Sequence, residues 1–314
     1  MAKRTLLAAP DPDEPRRNPS SDPGTVVPPQ ILSVWVTAQQ AGPSQRRGRY
    51  VPYSVKHPAR MLPAIAAHAI ETYTQPGELV LDPMCGIGTT LVEAVHAGRD
   101  GIGVEYESRW ANIADANITH AHTHGATGRG AVVRGDATAL TSLLPAVLHG
   151  QVALVVTSPP YGPTVHGLVR PTPGEGVAKS DNRYGDDKGN LAYQDLPGLL
   201  EGFTGILRGC ATLLRPGGIV VVTVRPWRKQ GDLVDLPSAV VAAGVAAGLT
   251  PLERCVALLA AVRDGRLVAR PSFFQLQQVR RARALGVPMH LIAHEDVIIF
   301  VRLQPLPHPP GEGQ

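Results

Sequence analysis

Residues 152–162 read Val152-Ala153-Leu154-Val155-Val156-Thr157-Ser158-Pro159-Pro160-Tyr161-Gly162. A short run this rich in valine, ended by a proline pair, predicts a buried parallel strand that empties into a rigid loop. Ligands of open α/β sheets sit at the carboxyl ends of such strands. The loop supplies one hydroxyl, one aromatic face, and carbonyls with which no proline N–H competes. That inventory suits a flat ring carrying an amino group.

Strand and helix patterns alternate on both sides of this stretch. Apolar residues at 61, 62, 65, 66, 69, 70 and 73 predict a helix over 61–73 that Gln75-Pro76-Gly77 stops. A strand over 78–81 runs into Asp82-Pro83-Met84-Cys85-Gly86-Ile87-Gly88-Thr89-Thr90, and a helix over 90–97 closes at Gly98. Further strands are read at 101–104, 132–134, 219–224, 256–262 and 297–301, and helices at 110–121, 195–214 and 235–248. With 78–81 and 152–156, these strands make a mostly parallel, doubly wound sheet of seven strands in an α/β, Rossmann-like architecture. Ile31 to Val36 predicts one more short strand.

The turn after the first of these strands decides the ligand. Gly86-x-Gly88 between strand and helix lets a ligand approach backbone amides. Glu105 ends the next strand 19 residues after Gly86, the spacing of a carboxylate that grips ribose hydroxyls. Asp136 ends the third strand, where it can accept from an adenine amino group. Thr89-Thr90 stands in place of the x-x-Gly that brings a helix close to a pyrophosphate. Asp82 puts negative charge where a phosphate would bind and suits a cationic amino or sulfonium group. S-adenosylmethionine fits this set; a nicotinamide dinucleotide does not. The plain alternative is that Asp82, Glu105 and Asp136 only cap turns.

Composition bounds the remaining classes. The chain has 314 residues, 43% hydrophobic and 18% charged, with a net charge of +4. No apolar run reaches the ~18 residues of a membrane span, and Leu6 to Ala9 is too short for a signal-peptide core. Cys85, Cys210 and Cys255 are widely spaced with no CxxC pair, which argues against zinc and disulfides and for a cytoplasmic location. No metal site is expected. Prolines at 10, 12, 15, 19, 23, 28 and 29 mark residues 1–30 as a disordered tail, with a second one at 304–314. The catalytic domain is read as 31–303.

The chain resembles the DNA amino-methyltransferases, the N4-cytosine and N6-adenine methylases, over roughly residues 50 to 302. In that family the Asp-Pro-x-x-Gly-x-Gly-Thr segment holds methionine, which here implicates Asp82, Met84, Gly86, Gly88, Thr89 and Thr90. The acidic residue after the second strand holds ribose (Glu105), and the third strand's end holds adenine (Asp136, Ala137). His57-Pro58, before a helix, resembles the family's additional cofactor segment. His-Glu-Asp-Val-Ile-Ile-Phe (294–300) resembles its closing strand. Ser158-Pro159-Pro160-Tyr161 is similar to the catalytic tetrapeptide. No large separate recognition domain is evident, unlike in the family.

That resemblance implies methyl transfer to an exocyclic amine of a base flipped out of the duplex. A hydroxyl and a carbonyl accepting the two amine N–H bonds would localise the nitrogen lone pair for direct in-line attack. A C5-cytosine methylase would need a Pro-Cys nucleophile, where this chain has Pro-Pro-Tyr. Protein-glutamine methylases, which it also resembles, carry Asn-Pro-Pro-Tyr. Ser in the first position is most typical of N4-cytosine enzymes, so cytosine is expected, with adenine N6, an RNA base amine, or a non-catalytic nucleic-acid binder as alternatives.

DNA is the expected partner, and the resemblance admits a cognate restriction endonuclease and a second copy of the chain. Loop 163–190 and the basic insertion 263–294 are candidate recognition elements. The insertion carries Arg280, Arg281 and Arg283 beside Gln275, Gln277 and Gln278 on a helix expected over 273–285. Its plain alternative is a solvated basic face. Arg46-Arg47-Gly48-Arg49-Tyr50 is read as a solvated loop or, less simply, a phosphate contact.

Overall fold

A computed structural model of the chain describes residues 32–160, 168–172, 176–180, 184, 185, 187, 189–229, 232–271 and 273–303. Both expected tails, Tyr161, Gly162 and most of loop 163–190 lie outside these described residues. The chain opens on strand β1 (Val34–Trp35), helix α1 (Gly42–Arg46) and helix α2 (Pro63–Tyr73). Then come β2 (Leu79–Asp82), α3 (Thr89–His96), β3 (Asp100–Glu105), α4 (Ser108–Thr123) and β4 (Gly130–Arg134). Helix α5 (Leu140–Leu143) leads to β5 (Val152–Thr157). A hairpin of β6 (Leu168–Thr172) and β7 (Gly176–Ser180) precedes α6 (Leu196–Leu213) and β8 (Leu214–Val224). A second hairpin, β9 (Trp227–Lys229) and β10 (Asp232–Val234), leads to α7 (Leu236–Ala246) and β11 (Thr250–Leu258). Hairpin β12 (Ala260–Arg263) and β13 (Arg266–Ala269), helix α8 (Phe273–Ala284) and β14 (His294–Val301) complete it.

The main sheet runs β1-β11-β14-β8-β5-β2-β3-β4. All neighbours pair in parallel except β14, which is antiparallel to both β11 and β8. It has eight strands where seven were expected. The eighth is β1, reduced from the expected 31–36 to two residues that pair with Val256 and Ala257 at the sheet edge. The expected strand 256–262 is corrected as well. It starts earlier, at Thr250, and breaks at Leu259, after which Ala260–Arg263 leaves the sheet to pair with β13. Strand order reverses between β2 and β5, which places a crevice outside their carboxyl ends.

β5 is shared between two layers: side chains alternate over Leu154–Val156, and a register shift between Val152 and Leu154 puts Val152 on the same side as Val155. All six of its residues are buried. Val152 and Val155 face the layer of α6, packing with Phe203, Ile206 and Leu207, whereas Leu154 and Val156 face α2 through Ile65, Ala66, Ala69 and Ile70. That second set is the stripe the sequence period predicts. Helix α6 starts where expected, because Asp195 accepts from the Gly198 N–H at 3.0 Å. A Cβ on Gly244 would come within 2.2 Å of the Phe300 ring, so α7 packs on β14 at glycine distance.

Candidate active site

β2 delivers Asp82 to the crevice, and the chain turns there into α3. Gly86 (φ 55°) and Gly88 (φ 77°) are left-handed, a conformation that costs any other residue energy. Asp82 is 4% exposed and accepts from the Thr90 hydroxyl at 2.6 Å and the Met84 N–H at 3.1 Å. The Thr157 hydroxyl lies beside the same carboxylate without reaching hydrogen-bond geometry. Burial raises Asp82 to about 6.

Glu105 locks the turn from the neighbouring strand. It accepts from the Gly86 N–H at 2.8 Å and from the Glu107 N–H at 2.9 Å, and burial raises it to about 7. Asp136 accepts from the Thr138 N–H at 2.9 Å and so caps the short turn 137–139. All three acids therefore do cap local backbone. The structure adds that two of them also meet in one place.

A pocket with about 590 Å³ of atom-free space, open on one side, lies at the switch point. Its wall includes Met84, Glu105, Asp136 and Ala137 from the strand ends and Ser158 and Pro160 from the loop after β5. Pro159 is buried beside them. Asp82, Gly86, Gly88, Thr89 and Thr90 are not on this wall; they form the turn behind it. Thr89 and Thr90 are buried in the first turn of α3. Tyr161 lies outside the described residues.

His57 takes an unexpected position. It is 2% exposed, neither ring nitrogen reaches full hydrogen-bond geometry among the described residues, and burial depresses it to about 3, so the ring is neutral. Its ring packs edge-on against Trp110 and Tyr184, with centroids at 4.5 and 4.8 Å. A Cβ on Gly86 would stand 3.0 Å from His57 Nε2. The histidine thus buttresses the glycine turn from behind. Pro58 faces a different cavity.

Four residues that sequence reasoning passed over complete the site. Tyr106, Tyr184 and Asn190 line the pocket. Tyr106 also donates to Asp187 at 3.1 Å, and Asn190 Nδ2 donates to Glu107 at 3.1 Å. Tyr106 carried a signal, an aromatic directly after the strand-end acid. Asn117 is the fourth, fully buried in α4. It accepts from the Val51 N–H at 2.8 Å, donates to the Ile87 carbonyl at 2.8 Å and bonds the Ser54 hydroxyl. Its signal was a polar residue on the apolar stripe of α4, between Ile113, Ala114 and Ile118.

Cys85 sits in the turn with 6% exposure, and burial pushes its thiol well up. Among the described residues no group of three or more His, Cys, Asp or Glu side chains could hold a metal ion, and no helix is long and apolar enough to cross a membrane.

An open sheet with this strand order and a single antiparallel strand, with a glycine turn between two acidic strand ends, defines the class of S-adenosylmethionine-dependent methyltransferases. A family model for DNA methylases of the N6/N4 type matches residues 11–116, which hold His57, the Asp82–Thr90 turn and Glu105 and stop short of Ser158. Over that stretch the chain is similar to the N6/N4 DNA methylases.

Two curated proteins are similar to parts of the chain. A tRNA (guanine(10)-N2)-dimethyltransferase of Methanocaldococcus jannaschii is 33% identical over 107 residues, 34% of this chain and 30% of that protein. The type II methyltransferase M.MthZI of Methanothermobacter thermautotrophicus is 37% identical over 54 residues, 17% of this chain and 15% of its own length. The chain therefore covers well under half the length of either. Among solved structures, TrmN from Thermus thermophilus aligns with a TM-score of 0.48 at 17% identity, over 82% of this chain and 53% of that one. A methyltransferase from Pyrococcus furiosus aligns with a TM-score of 0.43 at 13% identity, over 81% and 88%.

Proposed function

We propose that this chain methylates the exocyclic N4 amine of a cytosine flipped out of DNA. The observation that carries the reading is the shared pocket: Ser158 and Pro160 stand on the same wall as Met84, Glu105 and Asp136.

The residues present suit the cofactor. Asp82 and Glu105 are buried acids that accept only from backbone amides and hydroxyls, and neither is ion-paired with Lys or Arg among the described residues. Two raised, uncompensated carboxylates favour a cationic ligand with hydroxyls to donate. Glu105 holds the ribose hydroxyls and Asp136 the adenine amine. Tyr106, next to Glu105, offers a ring to the adenine face. Asp82, clasped by Thr90, keeps Met84, Gly86 and Gly88 in the bend that receives the methionine part. When bound, S-adenosylmethionine supplies a sulfonium methyl group.

The acceptor half of the pocket belongs to the loop after β5. The Ser158 hydroxyl and a carbonyl of the proline pair accept the two amine N–H bonds and so localise the nitrogen lone pair. Pro159 and Pro160 hold that carbonyl fixed. Tyr161 stacks on the base. Cys85 takes no covalent part, because its thiol is buried and protonated. DNA is held by the basic insertion, where α8 buries Val279 and leaves Arg280, Arg281 and Arg283 exposed.

A second reading is favoured by one observation, the 33% identity to a tRNA guanine-N2 dimethyltransferase. Guanine N2 is also an exocyclic amine, and the same hydroxyl–carbonyl pair can accept from it. Expression in a methylation-free host, followed by sequencing that separates N4-methylcytosine from N6-methyladenine, tests the first reading. N4-methylcytosine is the expected mark. Adenine marks alone would move the acceptor and leave the site intact. Unmarked DNA together with methylated tRNA would replace the first reading by the second.

A further inference from the structure

A second cavity, with about 1280 Å³ of atom-free space, opens beside the segment 42–62. Its wall carries Arg46, Arg47 and Arg60 and no carboxylate. Arg46 is largely buried. One of its terminal nitrogens donates to the Met61 carbonyl, while its buried Nε has no partner. Arg60 reaches only the Ser54 carbonyl, at 3.3 Å. Neither arginine enters an ion pair among the described residues. Burial lowers both guanidinium pKa values, and the charge of Arg46 lowers that of Arg60 further.

The nearest acid does not neutralise them. Glu93 attracts Arg46 across some distance, but its two oxygens are taken by Arg49 at 2.6 Å and by the Tyr50 hydroxyl at 2.7 Å. Arg46 lies over the Tyr50 ring at 5.4 Å, which eases its charge without neutralising it, so two partly buried cations that repel each other in an open cavity remain a cost to the folded chain. An anion between them removes it. Guanidinium forks match phosphate oxygens geometrically, and a neutral ligand would leave the charge uncompensated.

We propose that this cavity is a phosphate-binding site formed by Arg46, Arg47 and Arg60. The ligand chemistry is a phosphate group, carried by a nucleic-acid backbone or by a free phosphorylated molecule. The nucleic-acid source rests on the function proposed above; the site itself does not. Pro58 lines the cavity while His57, one residue earlier, packs on Gly86. A phosphate bound here therefore touches the segment that supports the cofactor turn.

Two probes on the full chain test this. The first is sodium pyrophosphate at constant ionic strength, read as a rise in melting temperature. The second is a short mixed-sequence single-stranded oligonucleotide, read as the slope of log affinity against log salt. The Arg46→Gln/Arg60→Gln double variant is expected to abolish the pyrophosphate shift and to reduce the slope by about 0.7 per arginine, the single-strand value. S-adenosylmethionine affinity by calorimetry should fall by less than the tenfold expected when the tie at Asn117 is cut, since Arg46 and Arg60 bond the Met61 and Ser54 carbonyls and not the turn itself.

Loss of the pyrophosphate shift with an unaltered slope keeps the site and assigns it a free phosphorylated ligand. Loss of the slope alone assigns it to the backbone. If both readouts match the unaltered chain, the proposal is overturned. Should the double variant fail to fold, Arg47→Gln, at an exposed rim position, decides by the same two readouts. A chain that shows no heat with S-adenosylmethionine, yet retains the arginine-dependent pyrophosphate shift, would refute the methyltransferase reading and leave this site standing.

Discussion

Ser158 and Glu105 carry the residue-scale consequences of the proposed chemistry, one at the acceptor and one at the donor end of the pocket. Ser158→Ala removes an acceptor from the amine and leaves the strand-end acids untouched. We predict a fall in kcat on the order of 10²-fold, in line with the loss of one aligned polar group at a reacting centre, with an unaltered cofactor Kd. Single-turnover methyl transfer on a cytosine-containing oligonucleotide measures it, and full activity in the variant would sink the mechanism. Glu105 gives a pH signature. Its folded pKa is raised from 4.5 to about 7, so the ligand-free chain is most stable below about 4.5 with respect to this group and loses that contribution as pH rises through 7. Cofactor affinity should run the opposite way, because hydroxyls and a cation prefer the ionised acid. We expect binding to strengthen between pH 5 and 8 with proton release near 7, and Glu105→Gln to flatten the profile. Calorimetry in two buffers of different ionisation enthalpy reads the proton count; the same profile in both proteins would refute the assignment.

At the scale of elements, Asn117 shows how α4 holds the crevice together. One fully buried amide joins the N-terminal segment at Val51 and Ser54 to the Ile87 carbonyl of the glycine turn. Asn117→Ala leaves the part-buried Val51 N–H and the buried Ile87 carbonyl without this partner, which costs about 2–6 kcal/mol at the usual 1–3 per group. We predict a lowered melting temperature together with at least tenfold weaker cofactor binding, as the turn loses a tie. A stability loss with intact cofactor affinity would show that Asn117 serves packing alone. This residue also marks where sequence reading stopped. Period-two and helical patterns located the strands and helices of the sheet, because each element buries one face and that burial is written in its own residues. The Asp82, Glu105 and Asp136 strand ends were legible for the same reason, as polar residues closing apolar runs. Interactions made across the chain were not. Nothing local in Asn117, Tyr184 or His57 says which loop each will meet, and the departure of Ala260–Arg263 from β11 depends on pairing with β13 rather than on its own apolar pattern. Leu214–Gly218 likewise joins β8 through a register shift against β5 that the Pro-Gly-Gly sequence disguises as a helix stop.

For the whole molecule, the distribution of charge matters more than its small net value. Basic side chains gather at the 42–62 cavity and on α8, whereas Glu105 and Asp136 line the crevice. The Arg280→Gln/Arg281→Gln/Arg283→Gln variant should weaken DNA binding and lower the salt slope by up to about three, one for each phosphate no longer neutralised. Anisotropy titrations across a salt series measure it, and an unaltered slope would reduce α8 to a solvated face. Arg283 already donates to the Met289 carbonyl at 3.2 Å, so its share should be the smallest. The three thiols have a further consequence. Cys85, Cys210 and Cys255 are all buried, and burial raises each of them. Thiolate, the reactive form, is therefore scarce at neutral pH. The native chain should give no fast phase with Ellman's reagent until it is denatured, and a rapid stoichiometric reaction would contradict the burial. A single cysteine placed on α8 or on the rim at Arg47 would then be the sole site open to a maleimide dye. Nucleic-acid docking at each basic surface could be followed by fluorescence without first stripping the protein of its own sulfur.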